Sequence, residues 1–253
     1  MSKAKIAWTV NDGHTPSEAR AATATAFVGV QEIGCHLIFD VKMDFTRKAR
    51  FVAGGHTTEA PSSITYFSVV SSDSFRLAFT VAALKGVDVM SCDLENAYQN
   101  AMCRDNIWFE GGTECGEDNG KVLIVVRALY VLKSAGSSWR AALAQVFKDL
   151  DFVSMLADPD VWIQEAVRED GFKYHEMLCI YVDDILAISH KATDVLKEIT
   201  ALYRAKGGSI KSLDIYISAN IMKVQMTDGR KVWGSSSRDY VKNAVIPVEQ
   251  LFE

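Results

Sequence analysis

Two adjacent aspartates, Asp183 and Asp184, interrupt an otherwise apolar run over residues 177–188. Placing two anions inside a continuous hydrophobic strand would cost several kcal/mol each unless the charges were compensated. The run therefore predicts a hairpin whose tip carries the pair into a cleft, with the two side chains pointing in opposite directions. An exposed Asp-Asp turn would give the same spacing, so the pair alone does not decide between the two interpretations.

A third acid, Asp93, stands near the end of a predicted strand over residues 87–94. An acid at a strand end that faces an acidic hairpin is typical of two-metal phosphoryl transfer sites, in which ions about 4 Å apart clamp the attacking and leaving oxygens. Mg²⁺ suits such a site because it binds carboxylate and phosphate oxygens together. Two neighbouring acids, Asp88 and Glu95, are interpreted as ordinary surface residues.

The elements that must position these acids are predicted from local patterns. Ser72 and Asp73 offer a helix N-cap, Gly86 offers the end of that helix, and Asp228-Gly229 is typical of a hairpin turn. The other predicted segments are a hairpin or strand pair within 35–53, a turn-rich loop at 111–120, a strand at 122–126, amphipathic helices through 139–150 and 195–203, and a strand near 215–224. This order predicts an α+β fold, an antiparallel sheet with helices on one face.

Composition limits the class of protein. Of 253 residues, 49% are hydrophobic and 23% are charged, which is enough to bury a core and excludes a wholly disordered chain. No apolar run approaches the roughly 18–20 residues that span a bilayer, and the N-terminus lacks the apolar segment of a signal peptide, so an intracellular protein is expected. Five scattered cysteines predict reduced thiols rather than a zinc cluster.

The net charge of −5 counts against a partner that is itself a polyanion, since nucleic-acid binding normally relies on a basic surface. A local basic group can still serve. Its members, Lys42, Arg47, Lys48 and Arg50, lie within nine residues of one another.

Several segments together resemble a known family. Tyr181-Val182-Asp183-Asp184 resembles the catalytic hairpin of reverse transcriptases. The sequence from about Cys35 to about Val245 is similar to copia-type retrotransposon polymerases. The other similar segments occur in the family's order and are 48–55 (fingers strand), 68–84 (next block), 93–98 (first metal-binding motif), 127–134 (template- and nucleotide-contacting block) and 157–162 (before the hairpin). The resemblance implies a palm-like antiparallel sheet with a fingers subdomain.

The resemblance also implies a catalytic centre. Asp93, Asp183 and Asp184 would be the catalytic residues and would hold two Mg²⁺ ions, for which Mn²⁺ can substitute. Lys206 would be a candidate general acid for the pyrophosphate leaving group. The reaction would be RNA-directed DNA synthesis by nucleotidyl transfer to a primer 3′-hydroxyl.

Nucleotide and primer contacts follow from the same resemblance. Tyr98 falls where the family's steric gate lies, although a core aromatic beside the strand is an equal alternative. Lys48 and Arg50 would contact the triphosphate, with a solvated basic strand as the alternative. The remaining implied contacts are Ala97 and Val182 at the nucleotide pocket, and Ile217 and Ser218 at the primer.

The chain departs from the family at two glycines. Val131 stands within Tyr130–Lys133 where members typically have glycine, and Ser218 replaces a glycine in the primer-contacting strand. If glycine is needed at 131 for positive φ or close backbone approach, valine would distort the nucleotide pocket. These departures put robust activity in doubt.

The expected organisation is a poorly specified lead-in over 1–30, a fingers and palm domain over 31–245, and a truncated tail over 246–253 without thumb or RNase H. This arrangement would fit a fragment or a decaying copy of a larger polyprotein. Expected partners are an RNA or DNA template with primer, deoxynucleoside triphosphates and other polyprotein segments, with no membrane. By family resemblance, a cytoplasmic particle is the expected location.

Four functions remain open from the sequence. The first is an RNA-directed DNA polymerase, and the second is an inactive, decayed or truncated relic of one with weak nucleic-acid binding. A metal-dependent cyclase or nuclease predicts neither the fingers strand nor Tyr98. A non-enzymatic interaction module leaves the placement of the three aspartates unexplained.

Overall fold

The computed structural model describes residues 7–11, 15–21, 30–41, 45–59, 65–208, 210–212, 215–216 and 219–249. The chain divides into two compact units. The first unit comprises Met1–Phe67 and Asn96–Gln145, and the second comprises Ser68–Glu95 and Val146–Glu253.

The described residues form short strands and five α-helices. The strands are β1 (Trp8–Val10), β2 (Gln31–Glu32), β3 (Cys35–Val41), β4 (Arg47–Ala53), β5 (Asp88–Asp93), β6 (Ile107–Glu110), β7 (Val122–Val125), β8 (Val153–Ser154), β9 (Val161–Val167), β10 (Lys173–Tyr181), β11 (Asp184–Ser189), β12 (Lys211–Ser212), β13 (Ile215–Tyr216), β14 (Ala219–Gln225) and β15 (Lys231–Ser236). The helices are α1 (Pro16–Ala21), α2 (Ser72–Lys85), α3 (Ala135–Asp149), α4 (Ala192–Leu202) and α5 (Arg238–Glu249). No helix among these residues is long and apolar enough to cross a membrane.

The first unit contains a four-stranded sheet in the order β1-β7-β6-β2 and the separate hairpin β3–β4. Its core includes an aromatic group in which the Trp8 ring meets the Phe109 ring edge-on at 5.6 Å and Phe51 packs against both. Trp8 belongs to β1, which pairs with β7. The sequence offered no signal for β1 because a three-residue strand is too short to show a period.

The second unit is built on a six-stranded sheet in the order β12-β5-β11-β10-β9-β8, with every neighbouring pair antiparallel. The predicted α+β class with an antiparallel sheet agrees with this unit. β10 and β11 form the predicted hairpin, and β14 and β15 form the hairpin predicted at Asp228-Gly229, where Gly229 has φ +84°.

Helices cover the sheet differently from the prediction. Residues 185–188 of β11 are each fully buried, so both faces of this strand are covered. α2 covers one face, where Ala78, Phe79 and Ala82 join Leu186 and Ile188 in one apolar cluster. α4 also packs along β5 and β11. The prediction of helices on one face alone is therefore corrected, because a strand that is apolar on both sides requires cover on both.

Smaller differences concern element ends. The N-cap of α2 is Ser71 rather than Ser72, and its hydroxyl accepts from Ser74 N, while Gly86 ends the helix at φ +59° as predicted. The loop at 111–120 contains a 3-10 turn, Thr113–Asp118. The strand predicted near 215–224 is divided into β13 and β14.

All five cysteines are free thiols, as the sequence predicted. Burial raises the pKa of Cys92 and Cys179 to about 12 each. Both thiols therefore stay protonated at neutral pH and serve as small core residues.

Candidate active site

The acidic pair lies at the tip of the β10–β11 hairpin. Tyr181 pairs with Asp184, which leaves Val182 and Asp183 as a two-residue loop. Val182 has φ +58°, the positive value that two-residue hairpin turns require at their first position. The apolar run on each side of the aspartates therefore forms the two strands, and the hairpin predicted from it is confirmed.

Asp93 lies beside this tip. β5 pairs with β11 so that Asp93 is directly opposite Asp184. Leu94 N donates to Asp183 O at 2.8 Å, which ties the chain after β5 to the loop itself. Directly opposite residues on antiparallel strands have neighbouring Cβ atoms. The sheet thus brings Asp93 beside the pair Asp183-Asp184, which follows it by about 90 residues in sequence.

Asp184 lies in a partly buried environment that contains two other acids. Burial, followed by the charges of Asp183 and Asp93, raises the pKa of Asp184 to about 6. Asp93 Oδ1 is buried and has no hydrogen-bond partner among the described residues. A buried acceptor without a donor is unfavourable by about 1–3 kcal/mol. Asp183 and Asp184 are both half-buried, which argues against the exposed Asp-Asp turn.

Lys206 is the cation that faces Asp93. Its ammonium donates to Asp93 Oδ2, and this hydrogen bond raises the pKa of Lys206. A backbone bridge between Leu94 and Ala205 and a bond of 2.8 Å from Glu95 N to Arg204 O hold the two segments side by side. The position of Lys206 beside the acids is therefore fixed by backbone pairing.

Of the two acids interpreted as surface residues, Asp88 is exposed as predicted. Glu95 is not. Its side chain is 20% exposed and lies 3.6 Å from Arg204 Nε. The sequence could not indicate this pair because Arg204 is more than 100 residues away.

The residues fit a divalent cation by their chemistry. Three carboxylates and one ammonium leave a net charge of −2 if all are ionised, and carboxylate oxygens are the donors that Mg²⁺ prefers. Within the described residues, no three acidic, histidine or cysteine side chains already converge as a ligand group. Like charges repel in the absence of a cation. The unpartnered Asp93 Oδ1 is the atom that a cation would satisfy.

The raised pKa of Asp184 predicts a pH dependence for the metal-free protein. Between the ordinary aspartate pKa of 3.8 and about 6, the folded chain binds a proton that the unfolded chain has released. The contribution of Asp184 to the free energy of unfolding therefore falls as pH rises from 4 to 6. Denaturant unfolding in EDTA at pH 4 to 7 is expected to show Asp184→Asn gaining stability over wild type as pH rises. If the difference in unfolding free energy between the two proteins stays constant over this pH range, the raised pKa of Asp184 is contradicted.

Another carboxylate, that of Asp158, supports the hairpin from outside the acidic group. Asp158 is buried and accepts from Ser71 N at 2.9 Å and from Asp160 N at 3.1 Å, which connects the start of α2 to the loop before β9. These hydrogen bonds, together with those of the Ser74 and Ser71 hydroxyls, lower its pKa against the opposing effect of burial. Ile180 N donates to Asp160 O, and Val70 N donates to Ile180 O. The segment 157–162 thus holds the end of β10.

The role of Asp158 was missed by the sequence analysis. Its partner Ser71 is 87 residues away, and no local spacing connects the two. The only local signal was the dipeptide Asp158-Pro159 in the segment before the hairpin.

The first unit contains the predicted fingers residues. Lys48 and Arg50 both lie on β4, at alternate positions of one face, and both are half-buried. Arg50 lies 3.6 Å from Asp40 of β3. These contacts are those of a basic strand. Binding of a triphosphate by Lys48 and Arg50 stays a prediction.

The first unit also contains Ala97 and Tyr98. Ala97 is buried, and the two residues begin a 3-10 turn, Ala97–Asn100. Tyr98 is half-buried against the core of this unit, with its ring edge-on to Tyr130 at 5.1 Å. Packing of this kind is compatible with both alternatives for Tyr98. Ile217 and Ser218, the predicted primer contacts, lie outside the described residues.

Val131, which stands where the family has glycine, has φ +76°. A β-branched side chain is strained in this left-handed region, which glycine adopts readily. The loop is held there by β4, since Ala53 N donates to Tyr130 O at 3.0 Å and a Cβ added to Gly55 would lie 2.0 Å from Val131 O. Of the two reasons considered for glycine at this position, positive φ is present in the structure.

Replacing Val131 with glycine is expected to stabilise the protein. Relief of left-handed strain contributes about 1–2 kcal/mol, and the extra chain entropy of glycine offsets roughly 0.5–1 kcal/mol of it. The unfolding temperature should rise by about 2–4 °C per kcal/mol gained. Thermal unfolding monitored by circular dichroism measures this, with Val131→Ala as the matched control because alanine keeps the strain. Equal unfolding temperatures for the two variants would contradict the strain argument.

The chain is similar to one known protein family and to several curated proteins. The family model described as "Reverse transcriptase (RNA-dependent DNA polymerase)" matches residues 25–244. The Retrovirus-related Pol polyprotein from transposon RE1 of Arabidopsis thaliana is 26% identical over 171 residues, which is 64% of this chain and 11% of the relative. The corresponding polyprotein from transposon TNT 1-94 of Nicotiana tabacum is 26% identical over 198 residues, 74% of this chain and 14% of the relative.

A yeast protein is similar over much the same length. The Transposon Ty1-NL2 Gag-Pol polyprotein of Saccharomyces cerevisiae is 24% identical over 176 residues, 67% of this chain and 9% of the relative. The matched part of this chain therefore spans about a tenth of the length of these curated relatives.

Proposed function

Because this chain belongs to the reverse transcriptase (RNA-dependent DNA polymerase) family and resembles its copia-type retrotransposon members, we propose that it extends a primer 3′-hydroxyl with deoxynucleotides on an RNA or DNA template. The observation that supports the proposal is the backbone register that sets Asp93 opposite Asp184 and next to the Asp183 loop. Asp93 precedes the other two acids by about 90 residues in sequence, and the antiparallel pairing of β5 with β11 places it beside them.

The three aspartates would hold Mg²⁺, with Mn²⁺ as a substitute. When bound, the metal supplies neutralising charge for the attacking and leaving oxygens of an in-line displacement. The buried Asp93 Oδ1 and the anionic surroundings of Asp184 are the features of this chain that favour such binding.

Charged side chains of the chain would act on the triphosphate. Lys206 carries a proton at neutral pH, since its hydrogen bond to Asp93 raises its pKa, and it would donate that proton to the departing pyrophosphate. Lys48 and Arg50 would bind the triphosphate from the fingers strand, where the planar guanidinium of arginine can bond two phosphate oxygens together.

Shape would select the nucleotide. The aromatic ring of Tyr98 would exclude a 2′-hydroxyl, while Ala97 and Val182 would line the pocket without offering polar groups. Ile217 and Ser218 would contact the primer. Partners would be the template with its primer, deoxynucleoside triphosphates and the other segments of a Pol polyprotein, within a cytoplasmic particle.

A second candidate is a catalytically inactive relic of the same polymerase that binds nucleic acid weakly. The strained Val131, in the block that would contact template and nucleotide, favours this candidate. The two candidates share the fold and the metal ligands and differ only in turnover.

Primer extension on poly(rA)/oligo(dT) with Mg²⁺ or Mn²⁺ tests the proposal. Metal-dependent incorporation of thymidylate supports the polymerase. No incorporation with either metal, by protein that is folded and binds primer–template, rejects the polymerase in favour of the relic.

A further inference from the structure

We propose that Lys206 is the resident counter-ion of the acidic hairpin and that a divalent cation must displace its ammonium from Asp93 in order to bind. This inference rests on the proposed metal site and adds a competition within it. It assigns Lys206 a role before catalysis, in addition to that of a proton donor.

The backbone fixes where the Lys206 side chain begins. Ala205 bridges to Leu94, and Arg204 O accepts from Glu95 N, so the chain beside Asp93 is paired up to the residue before Lys206. Gly207 then turns the chain at φ +68°. Beyond this anchored Cα the lysine has a flexible four-carbon stem, and its side chain is 53% exposed. The ammonium can therefore leave Asp93 without any change in the backbone pairing.

Asp93 cannot serve both cations equally. Its Oδ2 accepts from Lys206, and its Oδ1 is buried without a partner among the described residues. A metal bound through this carboxylate would lie close to the ammonium, and two cations at that separation repel strongly in a partly buried site. Binding of the metal and departure of the lysine are thus coupled.

The electrostatics of the cluster favour a resident cation over none. Asp184 is opposite Asp93 on the neighbouring strand, and Asp183 follows at the loop. Among the described residues, Lys206 is the lysine whose ammonium bonds Asp93, and its removal would leave that carboxylate facing Asp184 without this bond. Lys206 therefore stabilises the metal-free chain and lowers its affinity for metal. Once displaced, its three N–H donors are free to bond a phosphate oxygen.

Mn²⁺ binding, measured by electron paramagnetic resonance of the free ion, tests the competition without any turnover. Lys206→Met removes the charge and keeps most of the side-chain volume, and it is expected to tighten Mn²⁺ binding about ten-fold, since part of the repulsion at a half-exposed site is screened. Lys206→Arg keeps the charge and should bind within about two-fold of wild type. Lys197→Met is a matched control because Lys197 pairs with Asp194 instead.

The outcomes separate this inference from the proposed function. Equal Mn²⁺ affinity in wild type and Lys206→Met, with weaker binding in Asp183→Asn, overturns the competition and leaves the metal site intact. Absence of saturable Mn²⁺ binding in wild type and in both Lys206 variants overturns the metal site on which it rests.

A second measurement follows Lys206 in the wild-type chain. Reductive ¹³C-methylation labels each lysine, and the signal missing from Lys206→Arg identifies that of Lys206. Addition of Mg²⁺ is expected to shift this signal toward the position of an exposed lysine while the Lys197 signal stays in place. A Lys206 signal that does not move at saturating Mg²⁺ would overturn the displacement.

Discussion

Asp183→Asn is expected to lower primer extension by at least about 1,000-fold, equal to roughly 4 kcal/mol of lost transition-state stabilisation. Asparagine keeps the size of the side chain and removes the negative charge that would hold the metal. Because the metal supplies much of the charge stabilisation in phosphoryl transfer, loss of one ligand affects the chemical step directly. Steady-state incorporation of labelled thymidylate measures the change.

Loss of folding would not account for such a result. Asp183 is one of three neighbouring acids, and its charge raises the pKa of Asp184. Neutralising it relieves repulsion with Asp184, and thermal unfolding of the metal-free variant, compared with wild type, shows whether the fold is kept. An inactive variant of undiminished stability would therefore report the loss of a ligand.

Asp88→Asn provides the matched control. Asp88 lies on the same strand as Asp93, but it is exposed and pairs with Ser189 at the other end of β11. Its replacement is expected to change incorporation by less than about two-fold, as is usual for surface positions away from a site. Equal incorporation by wild type and Asp183→Asn would reject the catalytic assignment of the hairpin.

Tyr98→Val is expected to reduce discrimination against ribonucleotides by about 100-fold, equal to roughly 2.7 kcal/mol in the difference between the two activation free energies. A ring that excludes the 2′-hydroxyl would reject ribonucleotides by steric contact, and valine would leave space for that group. The measurement is the ratio of kcat/KM for a deoxynucleotide to that for the matching ribonucleotide.

Tyr98→Phe separates the two alternatives for this residue. Phenylalanine keeps the ring that packs on Tyr130 at 5.1 Å, so discrimination should stay near that of wild type. If Tyr98 is only a core aromatic, Tyr98→Val would lower the unfolding temperature and leave the discrimination ratio unchanged. That second result would discard the steric gate.

The hairpin and its helices were predictable because their signals are local. Continuous apolar residues on both sides of Asp183-Asp184 can be buried only if the acids lie at a turn, and the structure has Asp183 in the loop and Asp184 at the start of β11. Ser71 and Gly86 bound α2 within one residue of the prediction, since caps depend on residues a few positions apart.

Contacts between distant segments were not predictable. The register that sets Asp93 opposite Asp184 depends on pairing between β5 and β11, and the sequence indicated only that both segments were strands. The contact of Lys206 with Asp93 and that of Asp158 with Ser71 depend on loops whose paths no local pattern encodes. A family resemblance offered Lys206 as a proton donor and said nothing of its partner.

Other expectations stay predictions. The domain boundaries after residues 30 and 245 are among them, although Trp8–Val10 already forms a strand within the expected lead-in. Val131 differs, because the sequence located the departure from glycine and the structure supplied its physical reason, a left-handed backbone held against β4.

The proposed catalysis requires Asp93, Asp183 and Asp184 to bind divalent cations together. Anomalous diffraction at the manganese edge, from crystals grown with primer–template, a deoxynucleoside triphosphate and Mn²⁺, tests this most directly. The predicted result is two peaks roughly 4 Å apart that contact all three carboxylates. The proposal would be contradicted by peaks away from these carboxylates, or by no peak beside Asp93 and a hairpin tip that is turned away from β5.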